Sequence, residues 1–182
     1  MKKVIILNSS PRKNFNTAKL LQEAQKGAQS AGAETEYFNL YDYNFSGCRS
    51  CFACQRKGST TNGICAIKDD ISKNLTAKLV ECDLIVLVTP LYYFGVSAQL
   101  KIVIDRFYAR TGRISGKKSI LIATAWNSDS WTMQALEQYY QTLVQYMRWQ
   151  NLGAIYATGC GYRDAVERSK FGDQAWKLGK SI

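Results

Sequence analysis

The sequence predicts an α/β fold in which a parallel sheet is covered by helices on both faces. Two observations carry the prediction. Short, β-branched apolar runs such as Lys3–Leu7 (KVIIL) and Asp83–Thr89 (DLIVLVT) recur along the chain. Continuous rather than alternating apolar character marks strands buried on both sides. Between these runs lie longer stretches with apolar residues at helical spacing, and strands alternating with helices imply crossover units and a parallel sheet.

The elements follow in order. After the first strand, Thr17–Ala31 carries Leu20, Leu21, Ala24 and Ala28 on one helical face, and Gly32 stops it. Glu34–Asn39 is the second strand. Residues 40–66, rich in aromatics, glycine and cysteine, read as an insertion with little regular structure. A helix is expected from Asp69–Asp70, whose charges suit its N-terminus, to about Glu81. Asp83–Thr89 is the third strand, ended by Pro90. Ala98–Ala109 is helical with Leu100, Val103, Ile104 and Phe107 on one face. Lys118–Thr124 is the fourth strand, Trp131–Trp149 a helix, Leu152–Thr158 the fifth strand, and the last helix is expected from Asp164 towards Leu178. With no repeat and no Pro/Gly/Ser linker, residues 1–182 are expected to form one domain with an insertion at about 40–66. Leu136, Tyr139, Tyr140, Leu143 and Met147 are expected in the core or at a subunit contact, and Asp69–Asp70 and Asp105–Arg106 are expected as surface or capping charges.

Composition narrows the chemistry. There is no histidine, so Ser-His-Asp and Cys-His catalysis and imidazole metal sites are excluded. The formal charge of +10 calls for an anionic partner, but the 24 basic residues are scattered and interleaved with acidic ones. That pattern disfavours a nucleic-acid surface. No apolar run approaches the length of a bilayer span, and Met1–Leu7 is followed at once by a polar stretch, so neither membrane nor export is expected and the protein is placed in the cytosol. In that reducing compartment the six cysteines are not expected to form disulfides. Cys48, Cys51, Cys54 and Cys65 are grouped, whereas Cys82 and Cys160 read as small core residues.

In open parallel sheets ligands bind beyond the carboxyl ends of the strands. The loops concerned are residues 8–16, 90–96 and 125–130. The first, NSSPRKNFNT, has neither a dinucleotide fingerprint nor a triphosphate P-loop. Its hydroxyls, amides and cations can wrap one phosphate at a helix N-terminus, or the loop can simply cap the helix through Asn16 or Thr17. The second sets Tyr92, Tyr93 and Phe94 at the ligand edge, where a flat conjugated ligand or a subunit contact would use them. A phosphate grip beside an aromatic shelf describes flavin mononucleotide (FMN).

Together, NSSPRKNFNT after strand one, GCRSCFAC and GICAIKDDI after strand two, and TPLYYFGVSAQLKIVIDR after strand three resemble the flavodoxin-like NAD(P)H-dependent FMN reductases, including their iron-sulfur flavoprotein branch. The resemblance covers roughly Lys3 to Arg106. It implies a flavodoxin-like three-layer sandwich with sheet order 2-1-3-4-5, FMN as cofactor and NAD(P)H as co-substrate. By position it assigns Ser9, Ser10, Arg12, Asn14, Asn16 and Thr17 to the phosphate, and Pro90, Leu91, Tyr92, Tyr93, Phe94 and Gly95 to the isoalloxazine. Ser9 and Phe15 stand where many relatives carry glycine. The implied reaction passes a hydride to flavin and electrons on to a quinone, flavin, nitro compound or metal ion. Because the cofactor supplies the chemistry, no catalytic side chain is assigned. The alternative is an electron carrier without nicotinamide turnover, which the +10 charge disfavours. The four grouped cysteines could hold a 4Fe-4S cluster or zinc, but ten residues separate Cys54 from Cys65, more than in the cluster-binding relatives. A metal-free loop is the expected state. The resemblance also implies a homodimer or higher homo-oligomer acting on a small-molecule acceptor, with residues 37–52 forming a lid or dimer contact.

Overall fold

The computed structural model describes residues 1–56 and 63–182. Five parallel strands, β1 (Lys3–Asn8), β2 (Glu34–Asn39), β3 (Leu84–Pro90), β4 (Lys118–Thr124) and β5 (Gln150–Ala157), form one sheet in the order β2-β1-β3-β4-β5. The helices are α1 (Asn16–Ser30), α2 (Thr76–Glu81), α3 (Ala98–Arg106), α4 (Thr111–Ile114), α5 (Gln134–Met147) and α6 (Phe171–Lys180).

The side-chain alternation of β1 shows why its run had to be continuously apolar. Val4 and Ile6 pack with α1 and α6 in one core, while Ile5 and Leu7 pack with α3 and α5 in the other. Each strand face meets a helix layer, so a polar residue on either face would be stranded. Leu136, Tyr140 and Met147 are buried in the second core and Tyr139 and Leu143 pack against it, as their spacing suggests. The Tyr140 hydroxyl is satisfied by Ser119 Oγ at 2.9 Å. Cys82 and Cys160 are buried; burial pushes both thiols up to about 11, so both stay protonated core groups.

On the first face α1 and α6 approach so closely that two glycines are required. A Cβ on Gly179 would lie 2.0 Å from Ala24 O, and one on Gly27 would lie 2.1 Å from Trp176 O. Both obstacles are backbone, so the helices must separate to admit a methyl group. Gly179→Ala is therefore expected to lower stability by about 1–3 kcal/mol, read as the shift in a chemical-denaturation midpoint. An unchanged midpoint would show that the helices part freely.

Several boundaries differ from the sequence expectation. Neither Asn16 nor Thr17 caps α1: the N-cap is Phe15, with extended backbone and no side-chain hydrogen bond. The helix expected from Asp69 begins as a single π turn, Ile71–Leu75, before α2. Helix α3 tightens into a 3-10 turn, Phe107–Arg110, ahead of α4. The last helix starts at Phe171, not Asp164, because the preceding turns are tied to α1: Lys19 pairs with Asp164 at 3.1 Å and with Glu167.

The largest correction concerns Arg106; Asp69 caps the turn at Ile71 through the Ser72 N–H, as expected, but is also the partner of Arg106. Asp105 is a surface charge, paired with Lys101, but Arg106 is buried and forms a two-pronged ion pair with Asp69 at 2.8 and 3.1 Å. Its guanidinium also donates to Ser46 O, Ile67 O and Ser72 Oγ. Asp69 in turn accepts from the N–H of Ser46 and Ser72, and Asp70 from the N–H of Asn44. Arg106 thus closes the neck of the insertion against α3. Among the described residues of the insertion, the helical elements are short 3-10 turns at Leu40–Asp42 and Ala53–Gln55. No helix among the described residues is long and apolar enough to cross a membrane.

Candidate functional site

Strand register brings the carboxyl ends together: Asn8 pairs with Asn39 and Val88, Pro90 with Thr124, and Thr124 with Ala157. The loops that follow therefore converge on one edge. Between them opens a cleft of about 290 Å³, close to the lower end of the usual range for small-molecule sites.

One wall is the loop from β1 to α1. Asn8 steers its start, accepting from the Ser10 N–H at 3.1 Å and donating to the Tyr37 hydroxyl at 2.9 Å. Ser9 is fully buried and spends its hydroxyl on Val88 O. Ser10, Arg12 and Thr17 line the cleft. The Thr17 hydroxyl lies 2.6 Å from that of Thr124, and the Arg12 guanidinium sits 4.6 Å over the Phe15 ring. Asn14 is exposed outside the cleft. Asn16 is buried and turned away from it, donating to Cys160 O at 2.9 Å and Tyr162 O at 2.6 Å while accepting from the Val166 N–H. The Asn16 side chain is therefore a clasp that holds the loop after β5 against α1.

The electrostatics of this wall follow from the missing cap. The first turn of α1 is buried, has no side-chain cap and contains no acidic residue. Phe15 and Thr17 line the cleft, so the positive end of the helix dipole lies beside it without a built-in counter-charge. Such an end accepts an anion.

The opposite wall is the loop after β3. Pro90, Leu91 and Tyr92 line the cleft. Tyr92 and Gly95 exchange backbone hydrogen bonds of 3.1 Å around Tyr93 (φ 44°) and Phe94 (φ 65°). Two consecutive positive φ angles make a type I′ turn, which glycine and asparagine normally occupy. Here two aromatic residues take the strain. Tyr93 is fully exposed, and Phe94 meets the Trp131 ring at 5.3 Å. Tyr93 and Phe94 border a neighbouring hollow instead of the cleft itself.

The structure adds residues that sequence reasoning did not select: Phe15, Thr124, Ala125, Trp126, Cys160 and Gly161 all line the cleft. Trp126 lies in the loop already marked as ligand-facing, and an aromatic ring there was a usable signal. Gly161 carried none, since its role depends on contact with Trp126 from another loop. The grouped cysteines lie elsewhere. Cys48 and Cys51 are exposed, Cys54 and Cys65 half-buried, and all are free. Among the described residues no set of three or more cysteine and acidic side chains converges as metal ligands. Residues 57–62 of the insertion fall outside the described residues.

Comparison with known proteins places this geometry. The chain is 40% identical over 104 residues to an iron-sulfur flavoprotein of Methanocaldococcus jannaschii, covering 57% of this chain and 51% of that protein. It thus spans about half the length of the curated relatives it matches. A crystal structure of an azoreductase from Bacillus anthracis superposes with a TM-score of 0.78 over the whole of both chains at 16% identity. An NAD(P)H:quinone oxidoreductase from Methanothermobacter marburgensis gives 0.76 at 16% identity over 98% of this chain and 94% of that one. These two share the fold. The profile of NADPH-dependent FMN reductases matches residues 2–162, and with the sheet order and the cleft at its carboxyl edge, the chain belongs to that family.

Proposed function

We propose that the protein binds FMN in this cleft and oxidises NADH or NADPH to reduce a small-molecule acceptor in the cytosol. The observation that carries the reading is the buried, uncapped N-terminus of α1 without an acidic residue in its first turn. Burying such an end without a partner is costly, and a phosphate monoester supplies the missing acceptors. Ser10, Thr17 and the first-turn N–H groups would hold the phosphate, with Arg12 as a nearby cation. Leu91, Tyr92 and Trp126 offer flat surface for the ring system, while Phe15 contributes an apolar wall beside the phosphate.

Bound FMN supplies the hydride-accepting and electron-donating chemistry. The chain's part is to bind, orient and exclude water. The residues that line the cleft include no carboxylate and no histidine, as suits a reaction that needs no proton relay from side chains. The six free thiols are consistent with a reducing compartment. The exposed T-shaped pair Phe52–Tyr108 supports a homodimer contact at the insertion, checked by the mass of the protein in solution.

The reading predicts that purified protein takes up FMN and that its flavin absorbance bleaches on addition of NADPH. Arg12→Glu reverses one exposed charge beside the phosphate. It is expected to weaken FMN about tenfold at low salt and to leave riboflavin, which lacks the phosphate, unaffected. Equal weakening of both ligands would remove the phosphate from this wall, and failure to take up FMN at all would sink the reading.

A further inference from the structure

Beside the cleft lies a second hollow of about 240 Å³, bordered by Tyr93 and Phe94 from the loop after β3 and by Trp126 and Asn127 from the loop after β4. Leu91, Ala125 and Trp126 belong to both spaces, so Trp126 stands on their boundary. Arg12 lines the cleft but not the hollow. Charge and aromatic content set this corner apart from the rest of the molecule.

The chain carries 24 basic residues, yet none lies at positions 84–100 or 119–147, the two stretches that supply every wall of the hollow. The charged residues of those stretches are both acidic, Asp129 and Glu137. Asp129 accepts from the side-chain amide of Asn127 at 3.2 Å and forms no ion pair among the described residues. In a chain of formal charge +10, this corner thus holds a carboxylate without a cation. The rings come at a cost. Tyr93 and Phe94 adopt a backbone conformation that disfavours aromatic side chains, and both rings border the hollow. The ring of Trp131 backs Phe94 at 5.3 Å. A Cβ on Gly161 would fall 1.7 Å from Trp126 Cδ1, so the indole rests against a position that only glycine leaves open.

We propose that the hollow binds a small organic cation of the quaternary-ammonium class, held against Trp126 and Phe94 with Asp129 as the nearby counter-charge. Aromatic faces carry negative charge density and attract a cation, tryptophan most strongly. A quaternary ammonium spreads its charge over alkyl groups and has no N–H to satisfy, so rings and a carboxylate at short range suffice to hold it. An anion would find no cation on these walls. A neutral ligand would gain contact with the rings but nothing from Asp129. The site goes beyond the cofactor reading above and does not depend on it, because no part of the argument uses a bound flavin.

The test is equilibrium dialysis of the purified full chain against choline and against 3,3-dimethylbutan-1-ol, which has the same shape without the charge. Choline is expected to bind saturably and about tenfold more tightly than the alcohol. Trp126 is 79% exposed, so Trp126→Ala takes nothing from the core. Phe94→Asn removes a ring while placing in the turn a residue that its backbone favours. Asp129→Asn keeps shape and can still accept from Asn127. Choline is expected to weaken about fivefold in Trp126→Ala and about threefold in Phe94→Asn. In Asp129→Asn it should weaken about threefold at low salt, with the alcohol unchanged. Absence of saturable choline binding, equal affinity for the two probes, or unaltered choline affinity in any one of the three variants overturns the proposal. FMN uptake is followed separately: protein that binds choline as described but takes up no FMN would sink the cofactor reading and leave the hollow as a cation site.

Discussion

Replacing Arg106 by methionine is expected to destabilise the protein by about 3–5 kcal/mol, because it strands Asp69 in a largely buried position without its counter-ion. Methionine fills much of the volume, so the loss reflects charge and hydrogen bonding more than packing. The guanidinium also satisfies Ser46 O, Ile67 O and Ser72 Oγ, and those groups would lose a donor together. Lysine in the same place keeps the charge but cannot reach both Asp69 oxygens and the two carbonyls at once, so Arg106→Lys should fall between wild type and Arg106→Met.

The same pair sets a pH dependence. Burial by itself would raise the Asp69 carboxyl, but hydrogen bonds from Arg106 and from the N–H of Ser46 and Ser72, with the Arg106 charge, outweigh it and hold the carboxyl below its ordinary value. A carboxylate lowered in the folded state stabilises the fold at every pH above its unfolded value, about 3.9. The contribution fades as pH falls through the lower folded value. Denaturant midpoints measured from neutral pH downwards should therefore drop in acid for the wild type, and that part of the drop should be missing in Arg106→Met. Equal acid slopes would mean that Asp69 is not held by Arg106.

The second large effect is expected at Asn16. Asn16→Asp changes no shape but turns a donor facing Cys160 O and Tyr162 O into an acceptor, while the accepting oxygen for the Val166 N–H remains. Two buried carbonyls lose their donor and meet a like partial charge, a cost of about 2–4 kcal/mol at neutral pH. Protonating the new carboxyl restores one donor, so the deficit should shrink in acid, opposite in sign to the Asp69 effect. Because Cys160 and Gly161 form a wall of the cleft, FMN affinity should fall along with stability. A variant that unfolds like the wild type would show that the clasp is dispensable.

How the fold and site were legible differs by element. The β1 and β3 runs announced burial on both faces, and the structure places their alternate residues in two separate cores. The helical spacing of Leu136, Tyr140 and Met147 likewise reported a core face. Ser10, Arg12, Thr17, Pro90, Leu91 and Tyr92 were found as cleft residues because they belong to loops that leave the carboxyl ends of strands. Asn16 looked like a cap or a phosphate ligand because its partners, Cys160, Tyr162 and Val166, lie far along the chain. Arg106 looked like a surface charge for the same reason: helical spacing does not reveal that Asp69 will arrive beside it from another element. Nor could the sequence show that Tyr93 and Phe94 would occupy an I′ turn, since that turn normally selects glycine or asparagine.

The sequence by itself determined the alternation of buried strands and amphipathic helices, the absence of histidine chemistry and the loops in which a ligand would sit, since all of these rest on local periodicity and residue type. Only the tertiary structure decided which polar groups in those loops remain free for a ligand. Whether Asn16 in such a loop, or Arg106 in the helix beyond it, is spent on the protein itself depends on contacts between segments distant in sequence, and burial then makes each hydrogen bond count.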